Sequence, residues 1–385
     1  MAGEQMPVTP ALVTWARERA GFSIEQAATR FKKIAAWEAG EGGPTYPQLE
    51  DLADAFKVPV AVFFFPKPPK VPSITESFRT IPAAQLDKIA PRIRLLLRKA
   101  KAFQLSLAEL NGGRNPAERQ IIHDLRARLD MPAGDLAERV RDYLGVSIEE
   151  QRGWPSADVA LESWRSAFAK VGVYVFKDAF KAISYAGFCL YDQQFPIIYV
   201  NNSAAKERQI FTLFHELGHL IFHTSGIDFR SDDLTPHLVG EARRIEILCN
   251  RFAGAFLVPD DALGEAMRGQ VANETTARAL ARDFNVSWLV VYRRFLDLRL
   301  IDRNTYAAAQ AAADAAQDVE REEGSGGNYY NTTMAYLGRE FLGMAMREYY
   351  QNRITEAQLA EHLGVSLKNL SGIEDRFLKA QSAHV

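Results

Sequence analysis

Phe214-His215-Glu216-Leu217-Gly218-His219 decides how this chain is read. It lies between Gln209-Ile210-Phe211-Thr212-Leu213 and Leu220-Ile221-Phe222, which are apolar enough for a buried helix. On a helix, His215 and His219 are one turn apart. Both imidazoles then leave the same face and can grip one zinc ion. Glu216 projects beside them, where it can take a proton from a zinc-activated water. Two histidines and a glutamate in an apolar helix need a reason, because an unpartnered buried polar group costs roughly 2–7 kcal/mol.

A catalytic zinc has three protein ligands and one open position. A metzincin continuation would need Gly and then His soon after His219, but Phe222 and Ser225 stand there. His223 lies four residues beyond His219. Three ligands on successive turns of one straight helix cannot converge on one ion, which leaves His223 a surface or supporting role. Glu246 is the better candidate. It sits in Arg244-Ile245-Glu246-Ile247-Leu248-Cys249-Asn250-Arg251-Phe252-Ala253, which reads as a second helix with an apolar stripe. Glu246 follows His219 by 27 positions, enough for a loop and a return helix. Thr224 to Pro236 is rich in Ser, Gly, Asp and Thr and reads as that loop.

FTLFHELGHLIFH followed by IEILCNRFAGAFLVP resembles the ImmA/IrrE metallopeptidases. That family shows HELGH, then E-x-x-A-N-x-F-A, then an apolar segment ending in Pro. Here Cys249 replaces the Ala, and Leu257-Val258-Pro259 closes the run. Phe195-Pro196-Ile197-Ile198-Tyr199-Val200-Asn201 resembles the family's strand before the zinc helix. The resemblance covers roughly Trp164 to Asp260. It implies that Glu246 is the third zinc ligand, beside His215 and His219, and that the substrate is a protein, typically a repressor.

The chain has 385 residues, room for two or three domains. Its formal charge of −2 gives no global attraction to nucleic acid or anionic membrane. Cys189 and Cys249, without a secretory signal, suggest a reducing cytoplasm. Both sit in apolar company and read as packing residues. The longest apolar run, Val60 to Phe65, is too short to span a membrane.

The expected fold class is α+β, mostly α-helical. Residues 1–66 read as a degenerate helix-turn-helix domain resembling the Cro/repressor (XRE) type. The resemblance lies in Trp37-Glu38-x-Gly40, Pro44-Thr45 and Gln48-Leu49-x-x-Leu52-Ala53. Ser23 with Gln26 offers a capping box. Only eight residues separate Ala28 from Trp37, too few for a turn and a full recognition helix. Residues 1–60 also carry six basic against eight acidic side chains. Both features argue against autonomous DNA binding, and no DNA-binding residues are assigned. Residues 67–153 read as a proline-rich linker and a helical region, with Ile93, Leu96, Leu97 and Ala100 on one stripe. Residues 154–320 read as the zincin-like peptidase domain with trailing helices. Its three strand candidates are Gly172–Phe176, Gly187–Tyr191 and Ile197–Val200. Residues 328–385 read as a C-terminal helical domain.

The expected function is a zinc-dependent endopeptidase of the cytoplasm. His215, His219 and Glu246 would hold Zn²⁺, and Glu216 would be the general base. His223, His237 and Tyr199 are candidates for an oxyanion donor. The resemblance implies a repressor-like or toxin–antitoxin partner as substrate, in a stress, mobile-element or defence response. A competing expectation is an XRE-family transcriptional regulator whose peptidase-like domain senses or docks a partner.

Overall fold

The computed structural model describes residues 4–70, 89–182, 184–229, 240–319 and 328–382. The chain divides into two units, residues 1–99 and 100–385. It is mostly helical with one small sheet, an α+β fold.

The first unit contains helices Pro10–Ala20, Ile24–Arg30, Ile34–Glu38 and Tyr46–Phe56, and a 3-10 turn at Val60–Phe64. Ser23 and Gln26 close a reciprocal capping box at the second helix. The third helix is five residues long. Its Ile34 and Trp37 are buried, and its Glu38 takes a two-point ion pair from Arg17 of the first helix at 2.6 and 3.0 Å. The short interval thus forms one packed turn of helix.

The second unit is built around four strands: β1 (Tyr174–Asp178), β2 (Tyr185–Leu190), β3 (Ile197–Asn201) and β4 (Gly226–Phe229). Their order is β1-β3-β2-β4. β1 and β3 are parallel, and β2 is antiparallel to both β3 and β4. Residues 226–229, expected as loop, form the edge strand β4. Its alternation, Ile227-Asp228-Phe229, is too short to stand out among turn-forming neighbours.

β1, β2 and β3 are buried throughout, because both sheet faces are covered. On one face Phe188 stacks on Tyr199 at 5.1 Å, and Phe176 stacks on Phe103 of helix Pro91–Leu110 at 4.5 Å. Phe341, of the helix Arg339–Tyr350, meets Phe176 edge-on at 5.2 Å. The other face carries the helix Lys206–Ile221, hereafter the site helix. The two approach closely at Gly187. A Cβ there would lie 2.5 Å from Thr212 Cγ2 and 2.9 Å from the Tyr199 carbonyl oxygen. Gly187→Ala should therefore lower stability by about 1–3 kcal/mol, the usual range for overpacking. Chemical denaturation checks this; an unchanged midpoint would mean the sheet and helix are looser than described.

The site helix packs against a second helix, Gly240–Leu257, hereafter the partner helix. Trp164 meets both Phe214 and Phe256 edge-on, at 4.9 and 5.4 Å, and those two rings stack at 4.0 Å. This aromatic group sits one residue before His215 and fixes the crossing. The last carbonyls of the partner helix cannot be satisfied within it. Gln151 donates to the Leu257 carbonyl at 2.9 Å, Arg294 to that of Val258 at 3.1 Å, and Arg141 to that of Phe256. The core enclosing the helix pair draws on residues from Ile121 to Phe295. Among the described residues, no helix is long and apolar enough to cross a membrane.

Candidate metal centre

The site helix has two working faces. Thr212, Glu216 and His219 look towards the sheet, where Gly187 lies over Thr212 and Glu216, and Gly226 over the His219 ring. His215 and Gly218 look towards the partner helix, where they meet Asn250 and Cys249. Gly218 lets the helices touch, since a Cβ there would lie 2.9 Å from Cys249 Sγ and 3.3 Å from Phe252. Gly218→Ala would gain about 1 kcal/mol in helix propensity. Overpacking at this contact should outweigh that gain, and the net result should be a lower melting temperature.

His215, His219 and Glu246 come together where these faces meet, with their ligand atoms within 4.8 Å of one another. The two Nε2 atoms are 3.2 Å apart. Glu246 Oε1 is 3.4 Å from His215 Nε2, and Oε2 is 3.2 Å from His219 Nε2. The side chain of Glu246 is 20% exposed and that of His215 only 1%, so the trio opens to solvent on the Glu246 side.

The hydrogen bonds behind the trio fix its protons. Asn250 Nδ2 donates to Glu246 Oε1 at 3.3 Å, which turns Asn250 Oδ1 towards His215 Nδ1 at 3.1 Å. An amide oxygen can only accept, so Nδ1 carries the His215 proton. Thr224 Oγ1 donates to the His219 carbonyl at 3.0 Å and faces His219 Nδ1 at 3.4 Å. Nδ1 therefore carries the His219 proton as well. Both Nε2 lone pairs then point, with a carboxylate, at one spot. Three acceptors without a donor repel each other unless a cation lies between them. This donor set, two imidazoles and a carboxylate, suits a catalytic zinc. Burial works to raise the Glu246 carboxyl. In the alternative state with both imidazoles protonated and no ion between the donors, the charge of His215 and His219 and the hydrogen bonds from His219 and Asn250 outweigh it, holding the group down at about 2.

Glu216 is fully buried beside the trio, on the helix face towards β2. Cys189 and Cys249 are buried too, and burial pushes both thiols well above their usual range. His223 leaves the helix in the left-handed region at φ 57. Its Nε2 bonds the Ile122 carbonyl at 2.8 Å and its ring stacks on Tyr191, so it is turned away from the trio. Tyr199 lies on the opposite face of the sheet, stacked on Phe188. Neither is placed to stabilise an oxyanion at the metal centre. His237 lies outside the described residues. Asn250, Thr224, Gly226 and Cys189 complete the surroundings, and sequence reasoning assigned none of them a place there. Asn250 alone had a signal, standing one helical turn after Glu246.

Residues 168–296 match the peptidase M78 family model, described as the IrrE N-terminal-like domain. These residues are of the ImmA/IrrE peptidase type by that match and by the relative that follows. Over 93 residues it is 38% identical to the radiation response metalloprotease IrrE of Deinococcus radiodurans. The match covers 24% of this chain and 27% of that protein, so this chain spans about a quarter of the relative's length. A solved Mycobacterium tuberculosis transcriptional regulator matches 51% of each chain at 22% identity with a TM-score of 0.29. The family match supports a metallopeptidase, and the domain it covers holds the His215, His219 and Glu246 cluster.

Proposed function

We propose that this chain is a zinc-dependent endopeptidase that cuts a protein substrate. The observation that carries the proposal is the convergence of His215 Nε2, His219 Nε2 and the Glu246 carboxylate beside the buried carboxylate of Glu216. His215, His219 and Glu246 would hold the ion. When bound, zinc supplies Lewis-acid chemistry, polarising a carbonyl and making a water easier to deprotonate. Glu216 takes the proton of the attacking water on a carboxylate oxygen and returns it to the amine nitrogen that leaves. The hydroxyl of that water ends on the carbonyl carbon, so one water is consumed per bond cut.

β4 lies at the edge of the sheet, and its Gly226 packs against the His219 ring. An extended peptide paired to that edge would pass beside the trio, aligned by main-chain hydrogen bonds. This supports an unfolded or extended segment as the substrate. The likeness to a radiation response metalloprotease supports a stress-linked role and, with the family resemblance, a regulatory protein as the target.

A proteome-derived peptide mixture tests the activity. Zinc-loaded wild type should create new N-termini, detected by amine labelling and mass spectrometry. They should be absent after chelation and with Glu216→Gln. The same N-termini arising with that variant would overturn the proposal.

A further inference from the structure

From Gln209 to Ile221 every residue of the site helix is buried except Phe211. An aromatic ring left partly in water on an otherwise buried stretch needs a reason, and its place supplies one. Phe211 stands one helical turn before His215 and on the same stripe. The two rings are 6.5 Å apart and inclined by 29°, so the phenyl ring flanks a metal-binding imidazole. The Arg208 guanidinium lies 5.3 Å from the centre of the Phe211 ring, a cation–π contact that steadies it. The rest of the ring packs against the core around the helix pair. What remains exposed is an apolar surface beside the trio.

Glu246 and Asn250 are partly exposed as well, but the trio uses both. Phe211 takes no part in holding the ion or moving a proton. β4 lies against His219 at one end of the trio, and Phe211 against His215 at the other. A peptide paired to the β4 edge and extended across the trio meets Phe211 at the His215 end. An extended chain advances about 3.3 Å per residue, so the ring is in reach of side chains up to about two residues from a scissile bond at the trio. An apolar side chain laid on the ring takes both surfaces out of water, which favours binding. A polar one gives up water and finds no partner on the ring. We propose that Phe211 is a specificity-determining residue, the wall of a subsite that takes an apolar side chain of the substrate close to the scissile bond. This rests on the endopeptidase reading above and narrows its substrate to extended segments with an apolar residue beside the cut.

Peptide hydroxamates test this without cleavage. The hydroxamate chelates zinc and so fixes the register of the residues attached to it. Two series, one extending to each side of the chelating group, carry Ala, Leu, Phe or Glu at each position in turn. Calorimetry on the zinc-loaded full chain gives their Kd values. At one position Leu or Phe should bind wild type about 10-fold more tightly than Ala, the weight of a small apolar difference in a pocket. Phe211→Ala should flatten that ratio at that position alone, and Phe211→Leu should keep most of it. A purely structural Phe211 predicts that Phe211→Ala weakens every hydroxamate alike and leaves the ratio, and that pattern would overturn the proposal. So would a wild type indifferent to the apolar side chain, or one preferring Glu, which would assign this flank to Arg208. Should Phe211→Ala fail to fold, Phe211→Gln, a good helix former with a polar end, decides by the same ratio.

Failure of the endopeptidase reading looks different. Hydroxamates bound with the apolar preference by a chain that cuts no peptide would leave the subsite standing and remove the cleavage. A chain that binds no hydroxamate lacks the zinc site, and both fall. With a peptide that is cut, Phe211→Ala should lower kcat/KM about 10-fold when that position is apolar and leave the Ala peptide unchanged.

Discussion

Glu216→Gln should bind zinc as wild type does and cleave about 10³-fold more slowly, within the range that general acid–base catalysis contributes. The substitution keeps the side chain's shape and removes its ability to take a proton. Glu216 is not among the converging donors, which are His215, His219 and Glu246. Its carboxylate lies on the sheet side of the helix, while His215 looks towards the partner helix. The charge can therefore be deleted without touching the ion. Single-turnover cleavage with metal analysis on the same samples checks both halves. Zinc loss in this variant would show that Glu216 supports the ion. Undiminished cleavage would remove it from the chemistry.

Asn250→Leu should weaken zinc affinity about 10- to 100-fold, the usual effect of removing an outer partner of metal ligands. One amide does two jobs here, donating to Glu246 Oε1 and accepting from His215 Nδ1. Leu fills a similar volume and does neither. Without the acceptor, His215 is free to move its proton to Nε2, the atom that faces the metal position. Glu246 loses a donor that holds its carboxylate in place. Competition with a chromophoric chelator measures the change. An affinity equal to wild type would mean the amide contributes nothing to the site. Asn250→Gln, which retains both groups on a longer stem, should fall between the two.

The centre of this site was legible in sequence because helical spacing alone brings His215 and His219 onto one face. Glu246 was legible because it sits in an amphipathic segment at a distance that suits a return helix. Three strands could be read because Val173-Tyr174-Val175-Phe176, Phe188-Cys189-Leu190 and Ile197-Ile198-Tyr199-Val200 are short apolar runs between turns. β4 could not, since Gly226-Ile227-Asp228-Phe229 gains its strand geometry from pairing with β2. The candidate oxyanion donors fared worst. Tyr199 is one residue from facing the site helix, and a strand reverses its side chains at every step. His223 is turned out by a left-handed residue at the helix end.

Zinc content is the most direct measurement of the central claim. Metal analysis of purified wild type, His215→Ala and Glu246→Ala should give about one zinc per chain in the first and little in either variant, since three protein ligands hold a catalytic zinc. A wild-type chain that takes up no zinc after reconstitution, or a Glu246→Ala variant that keeps a full complement, would contradict the three-ligand centre on which the proposed activity stands.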